Sequence, residues 1–171
     1  GNANRLLNAF VGGWQVSGIY FFSTGLPYTV NNGYYPTNYN VPTYATPVGK
    51  VPPTQTTRDA PAISGPSGPN MFADPAAARA AYDFTIPGQT GQRNGLRGDK
   101  YMNTDLGLAK RFIMPFAESH SLQFRTEVLN LTNSAYFGAP SLSLDSPGSF
   151  GRYYYTRSTP RQIQFALRYE F

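Results

Sequence analysis

Few residues in this chain could do chemistry, and their spacing argues against most of it. Its 171 residues include no cysteine and one histidine. That excludes disulfides, thiolate nucleophiles, zinc–thiolate sites and any cluster of imidazole ligands. A relay built on histidine would rest on His120 alone. His120 stands between Ser119 and Ser121, just after a stretch that turns the chain, and reads more simply as a strand-end residue than as a general base. The nine acidic residues lie at 59, 74, 83, 99, 105, 118, 127, 145 and 170. They show neither Glu-x-x-His spacing nor a paired-acid arrangement. Asp99, Asn103 and Asp105 offer oxygen ligands to a hard cation, but they equally form the polar side of a strand. No Gly-x-Ser-x-Gly elbow, phosphate-binding loop or dinucleotide fingerprint occurs. Asn130-Leu131-Thr132 is a formal glycosylation sequon. The expectation is a non-enzymatic chain with no catalytic residue, no metal and no cofactor.

The charge balance is equally uninformative about chemistry. Fourteen Lys and Arg against nine Asp and Glu leave a net charge of +5, which could point to nucleic acid. The basic residues are scattered singly, with Lys110-Arg111 the one adjacent pair. They read as solvated or lumen-facing charges, and no nucleic-acid partner is expected. Charged residues are only 13% of the chain, while aromatics reach 15% with 13 Tyr and 12 Phe. Such a composition suits β-structure with one apolar face and one neutral polar face, and it suits disorder poorly. Seventeen Gly and fifteen Pro argue against long helices. No apolar run approaches the ~20 residues of a membrane helix.

The elements that must carry these residues are strands. In residues 10–30, Trp14, Val16, Gly18, Tyr20 and Phe22 alternate with Gln15, Ser17, Ile19 and Phe21. A Ser-Thr-Gly turn at 23–25 and a restart over Leu26–Val30 predict a hairpin. Residues 31–100 change character: prolines recur throughout, too densely for a central ladder. This predicts a long Pro/Tyr/Asn-rich loop excursion over 31–100, with at most a short helix where Asp74-Pro75 precedes an alanine run. Loops of that length are functional or disordered, and an ordered one must pack against something. The strand signal returns over 101–114, with Thr104, Leu106, Leu108 and Phe112 opposite Asn103, Asp105, Gly107, Ala109 and Arg111. A second run over 120–131 sets Leu122, Phe124, Thr126 and Val128 against Gln123, Arg125 and Glu127. A further strand is expected over Phe150–Arg157. In the last run, Ile163, Phe165, Leu167, Tyr169 and Phe171 alternate with Gln162, Gln164, Ala166, Arg168 and Glu170. Its period of two matches the roughly 9–11 residues of a transmembrane β-strand. The predicted fold is all-β: an antiparallel meander of about six strands, a partial or shared barrel in a single barrel-type domain or fragment spanning 1–171.

Four blocks carry a resemblance. GGWQVSGIYFFSTGLPYTV, GQRNGLRGDKYMNTDLGLAKRF, LQFRTEVLNLTNSAYFGAP and RQIQFALRYEF together resemble the C-terminal barrel segment of TonB-dependent outer-membrane receptors. The likeness is to the subgroup with a carboxypeptidase-regulatory-like N-terminal domain. It covers most of residues 10–30 and 88–171, and the loop between does not align. It implies a bacterial outer-membrane location, a lipid environment and a role in transport. It also implies a terminal strand (Ile163, Phe165, Leu167, Tyr169, Phe171) recognised by the barrel-assembly machinery. The family's plug and energy-coupling box are missing from these residues, and its barrels are about 22-stranded.

Six strands cannot close a transmembrane barrel, for which about eight are needed. The missing partners would be the remaining strands of a longer receptor chain or other copies of this one. The second route defines the alternative function: a processed, receptor-derived fragment that self-assembles through its strand edges into an extracellular filament or tube. The opening Gly1-Asn2-Ala3-Asn4, without an initiator Met, reads as a processed or truncated piece. Tyr34, Tyr35, Asn38, Tyr39 and Asn40 would serve the loop as ligand contacts or as contacts between subunits.

Overall fold

The structure, a computed structural model, describes residues 11–33, 43–116 and 119–171. Its strands, in chain order, are β1 (Trp14–Ser23), β2 (Pro27–Tyr28), β3 (Asn31–Asn32), β4 (Thr43–Tyr44), β5 (Thr46–Pro47) and β6 (Thr57–Ala60). They continue as β7 (Gly68–Asn70), β8 (Tyr82–Asp83), β9 (Leu96–Arg97), β10 (Tyr101–Ile113), β11 (Ser121–Leu129) and β12 (Gln162–Glu170). One helix, α1 (Pro75–Ala80), and a 3-10 turn at Pro147–Ser149 complete the described elements. The protein is all-β and antiparallel, as the alternation predicts.

The chain divides into two compact units. Unit 1 takes the described residues of 1–22, 102–135 and 159–171, and is built on a four-stranded sheet in the order β1-β10-β11-β12. β10 and β11 pair from Leu106↔Val128 to Ile113↔Ser121, and β11 and β12 from Ser121↔Glu170 to Leu129↔Gln162. β1 runs against β10: Arg111 N donates to Gly13 O at 3.1 Å, and Gly18 lies against Asp105 O. The approach is close at Gly107, where a Cβ would sit 2.6 Å from Ser17 Oγ. Asn130 and Asn133 turn the chain after β11 in the left-handed region, at φ of 53° and 51°, which asparagine tolerates best among non-glycine residues.

Unit 2 takes residues 23–101 and 136–158. Its described strands form four two-stranded ladders: β2-β9, β3-β4, β5-β8 and β6-β7. α1 starts where the sequence predicts: Asp74 Oδ1 accepts from Ala77 N at 2.9 Å, and Pro75 occupies the first turn. Val30, Ala45, Met71, Phe72, Leu96, Leu142, Leu144 and Phe150 belong to one buried cluster. Phe72 stacks on Phe150 with ring centroids 6.0 Å apart, and Phe137 on Tyr153 at 5.0 Å. Asn70 ties this core to the backbone, donating to Phe150 O at 2.8 Å and accepting from Phe72 N at 2.9 Å.

Two elements differ from the sequence reading. The expected hairpin over residues 10–30 does not form. Its second arm shrinks to Pro27–Tyr28 and pairs with Leu96–Arg97, while β1 pairs with β10. The reason is a crossing with a distant stretch: Gly25 and Gly98 approach so closely that a Cβ on Gly25 would lie 1.7 Å from Gly98 O, and Pro27 lacks the N–H a ladder requires. Phe150–Arg157 is not a strand but an irregular segment with single bridges, Arg152 to Asn70 and Thr156 to Phe137. Gly151, at φ of 75°, breaks the extended path beside Asn70 and Phe72.

Candidate functional site

The register of unit 1 sorts its side chains into two faces. Across β10, β11 and β12 the pairs Leu106–Val128–Ile163, Leu108–Thr126–Phe165 and Phe112–Leu122–Tyr169 line up on one side. β1 continues that side from Trp14, whose ring lies under the Lys110 ammonium, through the alternate residues Val16, Tyr20 and Phe22. These side chains point outward. Phe165 is 70% exposed, and Val16, Tyr20, Leu167 and Ile163 are exposed with it. Every buried apolar residue among those described belongs to unit 2. A water-soluble sheet hides its apolar face in a core, and among the described residues this one does not.

The other face is polar and tied across β10, β11 and β12, while on it Ile19 and Phe21 of β1 and Ile113 of β10 are also exposed. Arg111 Nε donates to Ser121 Oγ at 3.0 Å, Ser121 Oγ donates to Glu170 at 3.2 Å, and Arg111 and Arg168 pair with Glu170 at 3.4 and 3.1 Å. Arg125 pairs with Glu127. Gln15, Ser17, Gly107, Gln123 and Arg125 line a shallow depression in this face. Asp105, a cation ligand on sequence grounds, is engaged: Oδ1 accepts from Asn130 N at 2.8 Å and from Asn103 Nδ2 at 3.0 Å. Among the described residues no group of three His, Asp or Glu side chains could hold a metal ion.

Lys110 breaks the apolar face and is its least exposed member, at 2%. Its ammonium donates to Gly12 O and lies 5.1 Å from the Trp14 ring and 5.3 Å from the Phe112 ring. The charge is thus buried and satisfied within the sheet, by the Gly12 carbonyl and the faces of two aromatic rings. At the same end of the sheet, His120 Nδ1 and Tyr169 OH are 2.6 Å apart, with the Phe116 ring 5.7 Å from the imidazole. The histidine thus joins an aromatic group where β10 turns into β11.

Of the terminal-strand residues, Ile163, Phe165, Leu167 and Tyr169 fall on one face of the edge strand β12, and Phe171, 90% exposed, follows directly. Tyr34, Tyr35, Asn38, Tyr39 and Asn40 lie outside the described residues. In unit 2 burial pushes the Tyr82 and Tyr153 hydroxyls above the usual tyrosine range, and Tyr28 likewise. Sequence reasoning missed both Lys110, hidden inside an apolar stripe, and the Gly25–Gly98 crossing. The Arg97-Gly98 pair quoted above was the available signal for the latter.

The model of a family described as an outer membrane beta barrel domain matches residues 1–164. The chain belongs to that family. No match was found among curated proteins or among solved structures. For an outer-membrane barrel domain the outward apolar face is the one that meets lipid and the polar face lines the lumen. No described helix is long and apolar enough to cross a membrane. Crossing falls to strands of 9 to 13 residues, the length a tilted transmembrane strand needs.

Proposed function

We propose that the chain is the C-terminal part of the barrel wall of a bacterial TonB-dependent outer-membrane receptor, and that it is not an enzyme. The observation that carries this reading is the apolar stripe exposed across four strands, opposite the ion-paired face of β10, β11 and β12. The receptor subgroup is supported by where the four resembling blocks fall. They coincide with β1 and the Gly25 crossing, with β9 and β10, with β11 and its asparagine turn, and with β12. The connections fit as well. β10 and β11 are joined by residues 114–120 alone, whereas the opposite strand ends carry 24–100 and 130–161. Outer-membrane barrels keep short turns on the periplasmic side and long loops outside, so unit 2 is read as extracellular.

In this reading the remaining strands of the receptor complete the wall, and the barrel-assembly machinery takes up β12. Tyr34, Tyr35, Asn38, Tyr39 and Asn40 belong to an extracellular loop suited to stacking and hydrogen bonding with a polar ligand. The test is the coding sequence upstream of Gly1 together with membrane fractionation of its product. A plug domain and energy-coupling box upstream, with the product in the outer-membrane fraction, are expected. A product in the soluble fraction would overturn the reading.

A further inference from the structure

Asparagine is followed by glycine twice in the chain, at Asn32-Gly33 and Asn94-Gly95. The pairing matters chemically, because glycine has no Cβ to keep its own nitrogen away from the preceding side-chain amide. Both pairs lie in unit 2, and the structure treats them in opposite ways.

Asn32 is 2% exposed and sits opposite Thr43 in the β3-β4 ladder. Its Oδ1 accepts from Thr43 Oγ1, and Gly33 N donates to Asp145 Oδ2. Just before it, Asn31 N donates to Leu142 O at 2.8 Å and Asn31 O accepts from Leu144 N at 2.9 Å. Turning Gly33 N toward the Asn32 amide would break a charge-assisted hydrogen bond and pull on strands that run beside the buried Val30, Leu142 and Leu144.

Asn94 is exposed and lies outside the described strands, two residues before β9. Its φ of 57° is a left-handed conformation that asparagine visits at some cost. Its N donates to Thr29 Oγ1 at 2.9 Å, and Thr29 Oγ1 donates to Asn94 Oδ1 over a longer 3.4 Å. Both bonds go to the same hydroxyl. Exposed segments held this lightly open locally at small cost, whereas Asn32 moves only if part of the core opens with it.

We propose that Asn94 is a site of spontaneous deamidation, with water as the co-reactant, and that the fold keeps Asn32 inert. Gly95 N attacks Asn94 Cγ and gives up its proton to solvent. The Cγ–Nδ2 bond breaks, and the amide nitrogen leaves as ammonia. The resulting five-membered succinimide takes up one water. Opening at Cγ yields aspartate; opening at the main-chain carbonyl yields isoaspartate, whose backbone runs through Cβ and Cγ. Both products place a carboxylate between Arg93 and Arg97. Isoaspartate also lengthens the main chain just ahead of β9, close to the tight crossing of Gly98 with Gly25. The β2-β9 ladder is where the change is felt. None of this depends on the barrel reading.

The chain of residues 1–171, folded in detergent micelles, is held in warm, mildly alkaline buffer, and a second sample is held in the same buffer with denaturant. Peptide mapping by mass spectrometry separates asparagine, aspartate and isoaspartate at both sites. In denaturant the two pairs should convert at similar rates. In the folded chain Asn94 should convert several-fold faster than Asn32. An Asn94→Gly chain, in which glycine suits the positive φ, should lose most of the isoaspartate. If Asn94 converts no faster than Asn32 while circular dichroism still shows a β-rich fold, the proposal is overturned. It is overturned equally if Asn32 converts as fast in the folded chain as in denaturant.

Discussion

The Lys110 ammonium lies 5.1 Å from the centre of the Trp14 ring, the one charged group among the described residues of a mostly apolar face. A charge tolerated there must have its environment built for it, and the Trp14 ring with Gly12 O forms most of that environment.

The pair should therefore couple. Trp14→Leu lowers stability in a detergent unfolding titration, and in a Lys110→Met background the same change costs less. The difference between the two costs is expected at about 0.5–2 kcal/mol, the range of a partly desolvated cation over an aromatic ring. Additive costs would show that the ring and the ammonium do not interact.

The two faces of β12 give a sharper contrast. Phe165→Arg places a charge on the outward face near the middle of the strand, and should cost about 2–4 kcal/mol in lipid. Gln164→Arg, one residue away on the polar face, should cost less than about 0.5 kcal/mol. Refolding titrations into bilayers compare them, and equal costs would refute the assignment of faces.

Unit 2 responds to a different substitution. Phe72 is fully buried and stacked on Phe150, so Phe72→Ala should cost about 3–5 kcal/mol. Gly25→Ala forces a Cβ into the Gly98 carbonyl and should cost about 3 kcal/mol, the upper end for overpacking. Gly65→Ala meets nothing within 4 Å, and its φ of 91° limits the cost to about 1–2 kcal/mol of backbone strain. Limited proteolysis of the proline-rich segment reads all three.

Alkaline pH should loosen unit 2. Burial raises the Tyr82 hydroxyl above its unfolded value of about 10. Below that value both states hold the proton and the contribution is constant. As pH rises through it the unfolded chain releases the proton first, and stability falls until the folded value is passed. Tyr82→Phe should flatten this fall in hydrogen exchange measured between pH 9 and 11, and an unchanged slope would contradict the assignment.

The long strands were legible because alternation survives in the residues themselves. Ile163 to Phe171 and Leu122 to Val128 declare their faces without help from anything distant. Unit 2 was not legible, since its core joins Phe72 to Phe150 and Val30 to Leu142 across proline-rich stretches that have no period. The hairpin over residues 10–30 was misread because Leu26–Val30 looks like a strand locally. What removes it is the approach of Gly98, a residue far along the chain. Lys110 was read only as half of a basic pair, because nothing in its neighbours' spelling shows that a lysine falling in a mostly apolar stripe is buried there.

The division of buried side chains between the units gives them different needs of solvent. Unit 2 can complete its core in water, because Phe72, Phe150 and their neighbours need only one another. Unit 1 gains nothing from water, and its outward phenylalanines find a favourable surrounding only when lipid or further strands cover them. The two units of one chain thus ask for different surroundings.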